Sequence, residues 1–215
     1  SATSSWNRYI GTLVKAASQT GGLIGRNTNT ITHSYSTGEV QSNSSSVGGL
    51  VGWTNANITG TTATVGSTTY AKGNVTGSSE TGGLLGYADG SNAVITNTYA
   101  TGNVVGSTSS QKLGGLIGYR YYAAINRSFA TGNVSGGTSS RYLGGLIGSD
   151  YSYTSYSNGV VGSYVTVDVY AQGSVRGGDY LGGLIGYSDS TYVQRAYSTG
   201  QVAFATGATP TANIH

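Results

Sequence analysis

The sequence offers few side chains that could carry acid–base or nucleophilic catalysis. His33 and His215 are its only histidines, and it contains no cysteine. A serine nucleophile needs a neighbouring base. His33 is a poor candidate, because comparable segments of the chain place other residue types there: Thr68, Asn97, Arg127, Asp168 and Arg195. We expect a variable surface position at His33, no catalytic residue and no enzymatic activity.

Seven carboxylates are the other candidates for acid–base chemistry or metal binding. Asp89, Asp150 and Asp189 each lie six or seven residues after the start of a GGL-x-G string, which is typical of turn residues. Asp89 and Asp150 lie two sequence repeats apart, about 10 Å in a stack of strands, too far for a tight carboxylate pair. No segment concentrates carboxylates as a calcium loop does. The sequence therefore predicts no metal site and no cofactor.

Tyrosine is the residue type that most favours a binding role, with 18 copies in 215 residues. Tyrosine and tryptophan offer a large contact area with a polar tip, and they are common in binding hot spots. The candidate ligand-binding residues follow the glycine-rich strings directly or crowd the later loops: Trp53, Tyr87, Tyr119, Tyr121, Tyr122, Tyr151, Tyr153, Tyr156 and Tyr187. Rings that stack on one another to stiffen an edge explain the same pattern, so both roles stay open.

These residues are set in an internal repeat. The string GGL-x-G begins six times, at Gly21, Gly48, Gly82, Gly114, Gly144 and Gly182. A second string, aromatic-small-x-G-x-V, begins at Tyr35, Tyr70, Tyr99, Phe129, Tyr170 and Tyr197. The interval from an aromatic to the next GGL is 12 to 15 residues, whereas that from GGL to the next aromatic is 14 to 26. We expect one loop per repeat to absorb this variation.

Glycine density and β-branched residues make each repeat a set of short strands rather than helices. The predicted fold class is all-β, a parallel β-helix or β-solenoid of about six coils with a short N-terminal cap. The leucines of the GGL strings are predicted to form a buried ladder: Leu23, Leu50, Leu84, Leu116, Leu146 and Leu184. Alternation alone does not decide whether the repeat aromatics face inward or outward.

The predicted domains are an N-terminal cap at 1–20, the solenoid at 21–205 and a linker or tail at 206–215. Trp6, Tyr9, Ile10 and Leu13 lie on one stripe of a possible short capping helix. Val202 and Phe204 form a terminal strand with an open edge. These six residues are the candidate assembly surface for a head-to-tail homo-oligomer or filament.

The two linked strings resemble the GLUG motif, whose core is G-L-x-G and whose companion string is similar to N-x-Y-A-T-G-x-V-x-G. The fullest match runs from Asn97 to Gly106 and continues at Gly114 to Gly118, and the resemblance covers about residues 21–205. GLUG repeats occur in large secreted bacterial surface proteins, including adhesin-like and filamentous-haemagglutinin-like chains and the non-catalytic parts of IgA-specific metallopeptidases. The resemblance implies a stalk or binding region, and no HExxH zinc string is present.

Composition agrees with an extracellular or cell-surface location, because neutral polar residues dominate and only 8% of residues are charged. The net charge of +3 is scattered, so no nucleic acid is expected as a partner, and no apolar run is long enough to span a membrane. We therefore expect a structural or adhesive rod. It would present tyrosine-rich loops to a host or matrix glycan or surface protein, or pack end to end in a fibre. The alternative is a glycan-binding or glycan-degrading β-helix protein.

Overall fold

The computed structural model of the chain describes residues 7–9, 13–62, 67–90, 93–152, 156–157, 160–161 and 164–208, and for 7–9, 156–157 and 160–161 the backbone alone. Throughout these residues the regular structure is β-strand, and none of them is helical. This confirms the predicted all-β class.

Thirty strands follow one another along the chain. The first ten are β1 (Asn7–Tyr9), β2 (Leu13–Lys15), β3 (Thr20–Gly21), β4 (Ile24–Asn27), β5 (Ile31–Thr32), β6 (Ser34–Ser36), β7 (Glu39–Gln41), β8 (Ser45–Gly48), β9 (Val51–Thr54) and β10 (Ile58–Thr59). The next ten are β11 (Tyr70–Ala71), β12 (Val75–Gly82), β13 (Leu85–Asp89), β14 (Val94–Thr96), β15 (Tyr99–Ala100), β16 (Val104–Gly114), β17 (Ile117–Tyr121), β18 (Ala124–Asn126), β19 (Phe129–Ala130) and β20 (Val134–Ser135). The last ten are β21 (Arg141–Gly144), β22 (Ile147–Tyr151), β23 (Tyr156–Ser157), β24 (Val160–Val161), β25 (Val165–Ala171), β26 (Val175–Gly177), β27 (Asp179–Gly182), β28 (Ile185–Asp189), β29 (Tyr192–Ser198) and β30 (Val202–Phe204).

Three parallel sheets form the walls of a solenoid of about six turns. Sheet A carries the repeat aromatics and runs through β1, β6, β11, β15, β19, β25 and β29, with β5, β10, β14 and β18 alongside. Sheet B carries the repeat valines and runs through β2, β7, β12, β16, β20, β26 and β30, with β3, β8, β21 and β27. Sheet C follows the GGL strings, in the order β4, β9, β13, β17, β22 and β28. Like positions pair between coils, as Tyr70 with Tyr99 and Val75 with Val104.

The GGL strings line the interior, as predicted. The leucines of the four inner strings have no exposed surface, and Leu23 and Leu184 pack against the same core cluster. The glycines allow the walls to approach. A Cβ on Gly115 would lie 2.1 Å from the Gly145 carbonyl oxygen and 2.9 Å from the Ala130 Cβ, far inside van der Waals contact.

The N-terminal helix is a wrong prediction for the residues that the structure describes. β1 and β2 are strands, and they pair in parallel with β6 and β7. Arg8 stands opposite Tyr35, and Val14 stands opposite Val40. The segment therefore continues sheets A and B by one layer. As strands, its backbone N–H and C=O groups pair with the free strand edges of the first coil, which a helix would leave unpaired.

The two longest repeats each carry one long insertion, and the two insertions leave from different positions in the coil. In the Gly48 repeat the extra residues lie between β10 and β11, within sheet A. In the Gly144 repeat they lie between β22 and β25, where sheet C passes to sheet A, and they include the antiparallel pair β23 and β24. The sequence interval from GGL to the aromatic includes both positions, so its length does not show which of them carries the insertion.

The repeat aromatics face outward. Their small neighbours Ala71, Ala100, Ala130 and Ala171 belong to the core cluster, and alternate residues of a strand point to opposite faces. Outside the core, a second ladder follows the next corner. The Asn74 side-chain oxygen accepts from the Asn103 backbone N–H, and the Asn103 oxygen accepts from Asn133, both at 2.9 Å. Each coil thus ties the next at its corner.

Candidate functional site

Sheet A carries a continuous stack of rings on its outer face, which we call the aromatic ladder. Neighbouring ring centroids lie 4.6 to 5.1 Å apart, and their planes differ by 4° to 15°. Its members are Tyr35, Tyr70, Tyr99, Phe129, Tyr170 and Tyr197. Tyr99 and Phe129 are only 1% exposed. The faces of the inner rings are covered by one another, so the ladder stiffens the wall, and Tyr99 and Phe129 offer almost no surface to an incoming ligand.

Sheet C carries a second column, at the position directly after GGL-x-G, and it is interrupted. The Arg26 guanidinium lies 4.4 Å from the centroid of the Trp53 ring, and Tyr87 stacks on Tyr119 at 4.8 Å. The next member is Ser149, which has no ring. Register pairs each of these residues with its neighbour in the following coil, and all of them lie within the strands of sheet C.

Tyr151 fills the gap beside Ser149. Its ring meets Tyr119 edge to face at 5.8 Å and Tyr187 at 5.4 Å. Tyr142 and Tyr180 extend the group from the preceding corner, each packing on Tyr187, at 5.1 and 6.2 Å. We call these five residues the tyrosine patch: Tyr119, Tyr142, Tyr151, Tyr180 and Tyr187. Their planes meet at 36° to 84°.

Four of the five patch tyrosines are half-buried, and Tyr180 is the exposed one. Tyr180 is 48% exposed. Beside the patch, Tyr121 and Tyr122 pack edge to face at 4.3 Å, and Tyr122 packs on Tyr164 at 5.2 Å. Tyr121 is 37% exposed. The two groups bring eight tyrosines together on the described part of the chain.

The charges near the patch are compensated. The Lys112 Nζ lies 3.7 Å from the centroid of the Tyr119 ring and 3.3 Å from a Glu80 carboxylate oxygen. Burial raises the pKa of the Tyr119 phenol. Burial, followed by a hydrogen bond and charge interaction with Tyr187, raises the pKa of Tyr151 to about 12. The phenols therefore stay neutral at physiological pH and serve as hydrogen-bonding tips.

Beneath this surface lies an ion pair that sequence reasoning missed. Asp150 is not a turn residue as predicted: it lies in β22 and is fully buried against Arg120 of β17. The Arg120 Nε donates to Asp150 Oδ1 at 2.7 Å, and the Arg120 Nη2 pairs with Asp150 Oδ2. Asp89 and Asp189 also lie in strands, at the ends of β13 and β28. Matching repeat positions would have shown Arg120 and Asp150 opposite each other.

Other candidate residues have different outcomes. Trp6, Ile10 and Tyr153 lie outside the described residues, and only the backbones of Tyr9 and Tyr156 are described, in β1 and β23. Leu13, Val202 and Phe204 are 44%, 46% and 48% exposed. Tyr142 and Tyr180 were not among the candidate binding residues, although each stands in the string YLGGLIG, a recurrence that marks them as equivalent positions.

The first full coil matches a known repeat. The sequence profile of the GLUG motif matches residues 16–41, the segment that contains β3 to β7. The chain carries a GLUG motif. The same strands and strings recur in the later coils, consistent with a GLUG-motif repeat region, as the resemblance implied. A search of curated proteins finds no significant match.

Two further searches cover the described residues. In that part of the chain no helix has the length and hydropathy needed to cross a membrane. The same residues include no cluster of three or more histidine, aspartate or glutamate side chains able to hold a metal ion.

Proposed function

We propose that the chain is a structural and adhesive rod of an extracellular or cell-surface protein, and that it binds its partner through the tyrosine patch. The observation that carries this proposal is the contrast in ring packing. The ladder rings of sheet A lie nearly parallel and cover one another, whereas the patch rings, on neighbouring strands of sheets B and C, meet at up to 84°, and Tyr180 among them is 48% exposed. Exposed aromatic surface of this kind marks interaction sites.

A glycan is the partner class that this surface favours. Saccharides present C–H faces to aromatic rings and hydroxyls to polar tips, and the patch offers both features in a neutral form. Lys112 is held by Glu80, so the surface has little charge to attract an acidic partner. A surface protein is the competing partner.

The placement of carboxylates supports a non-catalytic role. Four of the seven, Glu80, Asp150, Asp168 and Asp179, form ion pairs with a cation of an adjacent coil. A carboxylate that is paired in this way stabilises the stack and is a poor general acid.

Packing end to end in a fibre is a second function with its own support. Exposed apolar residues stand on terminal strands at both ends, namely Leu13 of β2 and Val202 and Phe204 of β30. Since β1 and β2 already pair with β6 and β7, contact between chains would use their outer edges. Electron microscopy of the purified chain at rising concentration tests this version, and a Val202→Lys variant should shorten any filaments.

Glycan-array binding of matched variants tests the adhesive role. Tyr180→Ser removes a patch ring that is 48% exposed, and Tyr197→Ser removes a ladder ring that is 52% exposed. We expect Tyr180→Ser to weaken glycan binding and Tyr197→Ser to leave it unchanged. Equal binding by all three proteins would place the site elsewhere. Binding to matrix proteins without any glycan signal would show that the partner is a protein and not a glycan.

A further inference from the structure

The inward side of sheet C holds a column of residues that differ from coil to coil. In register these are Asn27, Thr54, Ala88, Arg120 and Asp150. The first two share a neutral hydrogen bond of 2.9 Å, and Ala88 is apolar. The column therefore accommodates neutral and small residues, and a fully buried ion pair is not a requirement of the repeat.

The two side chains of the Arg120–Asp150 pair also form hydrogen bonds with neighbouring groups. The Arg120 Nη1 donates to the Ala123 carbonyl oxygen at 3.1 Å and to the Val165 carbonyl oxygen at 3.4 Å. Asp150 also accepts from the Ser152 hydroxyl, which is fully buried. Both ends of the longest insertion, at Ser152 and Val165, are thus held by one buried group.

The residues of the ion pair, and the residues whose carbonyl groups Arg120 binds, are each next to a tyrosine in the sequence. Arg120 lies between Tyr119 and Tyr121 in β17, and Asp150 precedes Tyr151 in β22. Tyr122 precedes Ala123, and Tyr164 precedes Val165. Because alternate residues of a strand point to opposite faces, the inward ion pair lies directly behind the outward rings of β17 and β22.

Stability alone gives little reason to keep such a pair. Removing two charges from water carries a large desolvation penalty, and apolar residues of similar volume are often at least as stabilising. A paired guanidinium and carboxylate instead impose direction, through planar bidentate hydrogen bonds.

We propose that Arg120 and Asp150 are positioning residues, which fix the geometry of the tyrosine patch and of the neighbouring Tyr121–Tyr122–Tyr164 group. The pair orients the ends of the insertion so that Tyr151 enters the gap at Ser149 and Tyr164 meets Tyr122. Its importance for binding rests on the function proposed above, whereas the positioning itself is testable without a ligand.

The test replaces the pair by apolar residues in the full chain, as Arg120→Met with Asp150→Leu. Tyrosine geometry is followed by ring ¹H–¹³C NMR and by the rate of nitration with tetranitromethane at each tyrosine. We expect a folded protein with a thermal midpoint close to the parent, a several-fold faster nitration of Tyr151 and Tyr164, and shifted ring resonances. Tyr35 and Tyr70 of the ladder should be unchanged and serve as internal controls.

Two further variants separate positioning from general stabilisation. The exchanged pair, Arg120→Asp with Asp150→Arg, should restore part of the parent nitration pattern. The matched control, Asn27→Ala with Thr54→Ala, removes the neutral pair of the same column and should leave the patch tyrosines unaltered. Unchanged ring resonances and nitration rates in the folded apolar double variant would overturn the proposal, whether or not its thermal midpoint is lowered.

The binding assay then distinguishes the two proposals. If rings move and glycan binding falls together in the apolar double variant, both proposals are supported. If rings move while the parent chain binds neither glycans nor matrix proteins, the positioning role stands and the adhesive role fails.

Discussion

The aromatic ladder on sheet A and the tyrosine patch on sheets B and C are built from similar residues and pack in different ways. Ladder rings lie within 15° of parallel, and Tyr99 and Phe129 at its centre are only 1% exposed. Patch rings meet at up to 84°, and Tyr180 keeps 48% of its surface exposed. The first arrangement covers ring faces in the stack, and the second leaves Tyr180 available to a partner.

The cause of this difference is the regularity of the repeat. An aromatic ring stands at the ladder position of every coil from Tyr35 to Tyr197, so each ring finds a parallel neighbour one strand spacing away. On sheet C the column is broken at Ser149, and Tyr151 and Tyr142 enter from other repeat positions. Regular positions thus stiffen the solenoid, and departures from the repeat create surface.

The largest expected difference is in stability. Phe129→Ala removes a ring stacked at 5.1 Å on Tyr99 and at 4.6 Å on Tyr170, and should lower the free energy of unfolding by about 3–5 kcal/mol. Tyr180→Ala removes an exposed patch ring and should lower it by less than about 1 kcal/mol. Chemical denaturation measures both. Equal losses would mean that the patch is as structural as the ladder.

Removing one hydroxyl should have opposite signs in the two regions. The Tyr99 hydroxyl is buried and has no hydrogen-bond partner within the described structure. Tyr99→Phe should therefore stabilise the protein by about 1 kcal/mol, since a buried polar group without a partner is costly. Tyr151→Phe removes the hydroxyl that interacts with the Tyr187 phenol and should destabilise the protein by less than about 1 kcal/mol. Thermal unfolding of the two variants side by side gives the signs, and a loss at Tyr99 would reveal a partner for its hydroxyl.

A titration sharpens the comparison further. Burial raises the pKa of Tyr99 to about 12, and burial followed by Tyr187 raises that of Tyr151 to about 12. Tyr187→Phe should lower the pKa of Tyr151 toward its ordinary value, because the hydrogen bond and the neighbouring phenolate charge disappear. The pKa of Tyr99 should stay where it is. Ring NMR across alkaline pH follows the titration of both residues. If the pKa of Tyr151 is the same in Tyr187→Phe, Tyr187 does not contribute to the raised pKa and burial is its main cause.

The smallest effect is expected at the corner that leads into the ladder. Arg195 donates to Asp168 at 2.5 and 2.9 Å, and this hydrogen bonding lowers the pKa of the Asp168 carboxyl. The resulting stabilisation is present above the unfolded-state pKa of about 3.9 and is lost as pH falls through the lower folded-state pKa. Both side chains are exposed, so the contribution is small.

Asp168→Asn should flatten this part of the acid dependence of the thermal midpoint. Glu39→Gln removes an exposed carboxylate at another corner and provides the control. An unchanged acid profile in Asp168→Asn would show that the pair adds no measurable stability.

Some errors of the sequence-based prediction have a common source. The N-terminal helix was inferred from one stripe of apolar residues, but the free strand edges of the first coil decide that segment. Asp150 was assigned to a turn from its distance to a glycine string, but its partner Arg120 lies thirty residues away in the neighbouring coil. Each error follows from reading a local pattern where a contact between coils controls the conformation.

The sequence by itself determined the class of fold, the approximate number of coils, the buried leucine ladder and the residues that stand above one another. It could do so because equivalent residues of a stacked repeat must share one register, and two recurring strings reveal that register. Only the tertiary structure decided that the ladder aromatics face outward and that Tyr151 closes the gap at Ser149. It also showed that one long insertion lies within sheet A and the other between sheets C and A. These features depend on strand alternation measured from the core and on contacts between coils, and neither is contained in the spacing of the motifs.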